Sequence, residues 1–256
     1  MHARAGALQS AKGFLARVNR VGRKNTCMAA SNPEEMHGLV SLSDGMTLAS
    51  TVERLGKFEE LSEMPSPSAF VKPKSILYDI DGKQHRWDLV ESHSSVGAIL
   101  FHKALDALVL VRQFRPAVYA GACRQAEREG RQRPPYSVGF TYELCAGILD
   151  KDELSLAEVA AEEVAEECGY AIPASKLSKV SSYMSAIGIS GTRQTFFYGE
   201  IDESMRINNG GGVRQDGEAI QVLALPLANS REFLYDDSLP KSAGLMFALL
   251  WLLHER

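Results

Sequence analysis

The stretch EEVAEECGY, Glu162 to Tyr170, places four carboxylates in six positions and then reaches a glycine. On a helix, Glu163 and Glu167 are four residues apart and Glu166 is three from Glu163, so the three share one face. Between Leu154 and Gly169 there is no Lys or Arg to offset the five glutamates. Glu166 and Glu167 also fall in the last turn, where the helix dipole disfavours anions. A solvated acidic face is the usual explanation of a charge run. Like charges at the unfavourable helix end point instead to a divalent cation that offsets them. Mg²⁺ suits such oxygens and keeps several of its waters. The cluster reads as a metal site.

A helix is needed to hold it, and the local signals supply one. Ser155 with Glu158 three residues on is a capping-box start, and Gly169 is a natural residue past the last turn. Leu156, Val159, Ala160 and Val164 recur at helical spacing and form the expected buried stripe.

Around this helix the chain is β-rich. SILYDIDGKQHRWDLVES alternates about Asp81-Gly82, a strong hairpin signal. VGAILF and ALVLVRQF are buried-strand runs, followed by a long polar segment, Gly121 to Ser137, that reads as a functional or mobile loop. TYELCAG, SSYMS, RQTFFYGEI, the glycine-rich NNGGGVRQDGEAI and QVLALPL follow, and AGLMFALLWLL reads as a buried C-terminal helix too short to span a bilayer. Strands mixed with two main helices suggest α+β or an α/β/α sandwich.

Composition excludes other classes. A net charge of −4 argues against a protein held on nucleic acid by phosphate contacts, and no apolar run reaches membrane-spanning length. The four cysteines show no C-x-x-C spacing, and the six histidines form no zinc pattern. Residues 1–33 carry six Lys or Arg and no acid. They read as a mitochondrial presequence, or else as a disordered leader or an upstream start with Met28 as the working initiator. Residues 1–66 are expected to be leader and linker without fixed structure, 67–92 a hairpin and candidate dimer element, and 93–256 the main domain. The expected location is cytoplasmic, or mitochondrial if residues 1–33 act as a presequence.

The segment GILDKDELSLAEVAAEEVAEECGY, Gly147 to Tyr170, resembles the Nudix box, G-x5-E-x7-R-E-U-x-E-E-x-G-U with U apolar. Glu163, Glu166, Glu167 and Gly169 match, counted back from the last glycine. The stretch after Gly147 is one residue longer than the general form, Glu153 is out of register with the helix, Tyr170 replaces an aliphatic residue, and Glu162 replaces the arginine. The longer spacing, with RQFRPAVYAG, ELCAG, GTRQTFFY and GEAIQVLALPL, is similar to a nucleotide-sugar branch of that family.

The resemblance implies an α/β/α sandwich with a mixed sheet, preceded by an N-terminal β-hairpin. It implies a Mg²⁺-dependent (or Mn²⁺-dependent) hydrolase that cleaves the diphosphate of nucleoside diphosphate sugars, UDP-glucose to UMP and glucose 1-phosphate, and works as a homodimer. Glu163 and Glu167 would be the main metal ligands, with Glu166 shared or supporting and the Ala146 carbonyl a further ligand. Arg115, then Arg112, would hold the developing charge on the substrate. Glu218 or Asp216 in the late loop would be the general base. ADP-ribose hydrolysis, or a weakly active or non-catalytic nucleotide-sugar sensor, is the alternative.

Overall fold

The computed structural model describes residues 36–62, 68, 71–213, 215 and 217–256. The basic leader and Asp216 therefore lie outside the described residues. Among those described, eight strands form one mixed sheet and two form a separate hairpin.

The hairpin comprises β2 (Lys72–Ile80) and β3 (Lys83–Glu91), in register from Lys72↔Glu91 to Ile80↔Lys83. Asp81 and Gly82 make its two-residue turn with φ of 53° and 74°, the left-handed pair that such turns require. Trp87 Nε1 donates to the Gly188 carbonyl at 3.0 Å and the Val90 amide to Ile189 at 2.8 Å, which tethers the hairpin to the main domain.

The large sheet runs β1 (Val40–Ser41), β10 (Gln221–Pro226), β5 (Ala107–Phe114), β4 (Ser95–His102), β9 (Arg193–Ile201), β8 (Ser178–Met184). β6 (Phe140–Glu143) pairs with β5, and β7 (Cys145–Ile148) with β4. Only β4 and β9 are parallel among these pairs. Alternation along the central strands divides the core. Val96, Ala98 and Leu100 join Val159, Ala160 and Val164 of the acidic helix on one face. Ile99 and Phe101 meet Phe233, Leu245, Leu249 and Leu252 on the other. The second face is covered by α4 (Ser230–Tyr235) and α5 (Ala243–Glu255), so the layers are helix, sheet, helix, the expected sandwich.

Three elements differ from the sequence reading. The segment beginning at Gly121 is not a loop throughout: α2 (Pro116–Arg128) starts at Pro116, whose fixed φ suits the first helical position, and buries Tyr119 and Ala126. Residues 36–60 are not an unstructured linker. They add β1 to the sheet edge, form α1 (Leu48–Glu53) behind a Thr47 capping box, and continue as an irregular strap to Glu60. The acidic helix, α3 (Leu156–Glu163), starts at Ser155 with both capping-box bonds present, but opens into a π-turn at Val164–Cys168. Leu156, at its exposed start, stays 38 % accessible instead of joining the stripe.

Candidate active site

The π-turn has an identifiable cause. Gly169, at φ 78°, lets its amide donate to Val164, while the amides of Gly211 and Gly212 donate to the Glu167 and Glu166 carbonyls at 2.8 and 3.2 Å. Carbonyls left without helical partners are thus capped by a loop some forty residues on. A Cβ on Gly210 would lie 2.3 Å from the Glu167 carbonyl oxygen. The triple glycine therefore serves close approach to the acidic turn.

That docking fixes where the acids point. Glu167 is 4 % exposed and accepts the Ala146 amide at 3.1 Å. Glu163 lies against the next residue: a Cβ on Gly147 would meet its Oε1 at 1.9 Å. The box glycine is required because the carboxylate occupies the space of its missing side chain. Ala146 and Gly147 are held in β7 by pairing with Gly97 and Val96 of β4. Strand and helix together thus place two carboxylates on adjacent peptide units. Glu166 is exposed at the rim.

Electrostatics confirm the crowding. Burial, then the neighbouring charges of Glu166 and Glu218, push Glu163 up to about 7. Burial pushes Glu167 up to about 8 against the opposing Ala146 hydrogen bond, with Glu163 and Glu218 adding to the rise. Glu218, expected as a candidate base, is thus near both. It is anchored by the Val213 amide at 2.7 Å, and a Cβ on Gly212 would lie 2.3 Å from its Oε2.

Arg115 reaches the same region. Its guanidinium makes two bonds to Glu143, 2.7 and 2.6 Å, and it feels the charges of Glu167 and Glu218. Glu143 was not singled out from the sequence; its place four residues before the box glycine was the only signal. Arg112 is elsewhere in character. It is buried within the sheet, bonded to Tyr142 Oη at 3.0 Å and to its cross-strand partner Gln221. Arg115 and Glu218 line a cavity of about 580 Å³, of the size that takes a small organic ligand, together with Phe114, Tyr136 and the strap.

Glu162 has a partner. Lys151 Nζ stands 2.6 Å from its carboxylate, and the same lysine lowers the pKa of Glu163. A cation is therefore supplied beside the first box glutamate by the longer stretch before the helix, not by position 162.

Among the described residues no three His, Cys, Asp or Glu side chains are gathered closely enough to hold a metal as they stand. The donor chemistry nonetheless fits a hard divalent cation: carboxylate oxygens, two of them costly to ionise where they are, beside a strand backbone. No helix among the described residues is long and apolar enough to cross a membrane.

Comparison with known proteins agrees with the box. No family model matches the chain. Uridine diphosphate glucose pyrophosphatase NUDT14 of Bos taurus is 42% identical over 196 residues, 72% of this chain and 88% of that protein. The Mus musculus protein of the same name is 40% identical over the same shares. A GDP-mannose pyrophosphatase of Pectobacterium atrosepticum is 33% identical over 149 residues, 58% of this chain and 67% of that protein. With this similarity, the box glutamates on the capped helix and the sandwich around them, the chain belongs to the Nudix hydrolase family.

Proposed function

We propose that the protein hydrolyses the diphosphate of nucleoside diphosphate sugars, UDP-glucose to UMP and glucose 1-phosphate, with Mg²⁺ (Mn²⁺ as substitute). The observation that carries this is the pair Glu163 and Glu167 on adjacent peptide units, with Glu218 across from them and a ligand-sized cavity alongside. The relatives named for UDP-glucose and GDP-mannose hydrolysis support the substrate class.

Glu163 and Glu167 would hold the cation, with Glu166 supporting from the rim and the Ala146 carbonyl as a further oxygen. The cation, when bound, offsets charge on the diphosphate and favours loss of a proton from the attacking water. Glu218 takes that proton. Its Oε2 accepts the Val213 amide, and the residue lines the cavity. Asp216 is the second candidate for the base and lies outside the described residues. Arg115, held rigid by Glu143, positions the phosphates. Arg112 supports the sheet beneath through Tyr142 and Gln221 and is the weaker candidate for substrate contact.

The hairpin carries exposed Ile76, Leu77, Ile80 and Trp87, and we assign it to homodimer contacts. Light scattering of a Leu77→Asp, Trp87→Ser double variant tests this: the dimer should give way to monomer. The compartment depends on residues 1–33; imaging a tagged full-length chain decides between cytoplasm and mitochondrion.

Comparing kcat/KM for UDP-glucose, GDP-mannose and ADP-ribose, with Mg²⁺ and with chelator, tests the assignment. UDP-glucose should lead and chelator should abolish turnover. A lead for ADP-ribose would replace the substrate, and metal-dependent binding without turnover would make the protein a sensor.

A further inference from the structure

The segment that runs from β1 through α1 into the strap is bound at both ends. At one end the Val222 amide donates to Ser43 Oγ at 2.9 Å and the Leu42 amide to the Val222 carbonyl at 2.9 Å. At the other, Tyr136 Oη donates to the Gly56 carbonyl at 2.6 Å, Arg133 Nη2 to the Phe58 carbonyl at 3.2 Å, and Arg124 pairs with Glu60 at 2.6 Å. Between these anchors the strap forms one wall of the 580 Å³ cavity that also contains Arg115 and Glu218.

Charge singles out one side chain on that wall. A nucleotide sugar brings a diphosphate dianion into a site that already holds Glu163, Glu167 and Glu218. Arg115 offers oriented donors, but its charge is balanced by its two bonds to Glu143, and that of Lys57 by its pairing with Glu59. Arg54, at the C-cap of α1, lines the cavity, and among the described residues its guanidinium makes no hydrogen bond or ion pair. A guanidinium offers five donors in a planar fork suited to phosphate oxygens. On the reading of function given above, we propose that Arg54 is a substrate-binding residue, delivered by the N-terminal strap to the diphosphate of the nucleotide sugar.

The test uses the full-length chain with Arg54→Ala and Arg54→Lys, in steady-state kinetics with UDP-glucose and calorimetric titration with UDP. Arg54→Ala should raise KM, and weaken UDP, by about tenfold to a hundredfold, with kcat within about threefold of the parent. Arg54→Lys should recover part of the loss, because it keeps the charge without the fork. Melting curves matching the parent would show that α1 and the strap remain docked. UDP binding by Arg54→Ala equal to the parent's would overturn the inference. Absence of UDP-glucose turnover in the parent would overturn the functional reading instead, and UDP binding still reports on Arg54.

Discussion

Replacing Glu167 with Gln should stabilise the metal-free protein while removing its metal response. The amide keeps an oxygen for the Ala146 N–H, bonded at 3.1 Å in the parent, and removes a carboxylate that is 4 % exposed. Burial raises its pKa from the ordinary 4.5 to about 8. The folded value lies above the unfolded one, so the folded state binds the proton more tightly. Stability is full below pH 4.5 and is lost as pH rises through about 8. At 1.36 kcal/mol per unit, the variant should gain about 1 kcal/mol at pH 5, about 3 at pH 7 and about 5 at pH 9. For a chain of this size that is roughly 6–12 °C in Tm at pH 7. Thermal melts of both proteins in chelator at the three pH values read the effect, and Mg²⁺ titration of activity reads the other half. The parent should be stabilised by Mg²⁺ and active; the variant should show neither. A Tm difference that does not widen with pH would refute the picture of Glu167 as a buried carboxylate costly to ionise.

Glu218→Gln should lower kcat by about 10²–10⁴-fold with little change in the Mg²⁺ activation constant, measured in steady state; unchanged kcat would move the base elsewhere. Because Lys151 already pairs with Glu162, Glu162→Arg should lower turnover, and the charge-swapped double variant with Lys151→Glu should recover it in part. The restored family arginine alone, taken without the lysine, would have been expected to raise activity. Both side chains are about half exposed, so the pair itself should contribute only about 0.2–1 kcal/mol to stability, read from a double-mutant cycle of melts. Gly210→Ala, with φ at 62° and its new Cβ against the Glu167 carbonyl, should cost more than about 1 kcal/mol and lower activity together with Tm.

The acidic helix was legible because its signals are local: Ser155 and Glu158 cap it, and the apolar spacing sets its inner face. The hairpin was legible for the same reason, since Asp81-Gly82 supplies the left-handed turn without outside help. The π-turn was not, because its carbonyls are capped by glycines whose approach depends on the folded loop. Glu143 and Lys151 owe their importance to partners, Arg115 and Glu162, that only the assembled structure brings within bonding distance. The strap lacks periodicity, and its order comes from contacts with Arg124 of α2, Arg133 and Tyr136. The polar surface of α2 hid a helix behind the composition of a loop.

Product analysis of UDP-glucose turnover by the purified full-length protein, with Mg²⁺ and with chelator, tests the central claim most directly. Equimolar UMP and glucose 1-phosphate, formed only with the metal, is the predicted result. UDP and glucose, or the same products in chelator, would contradict it.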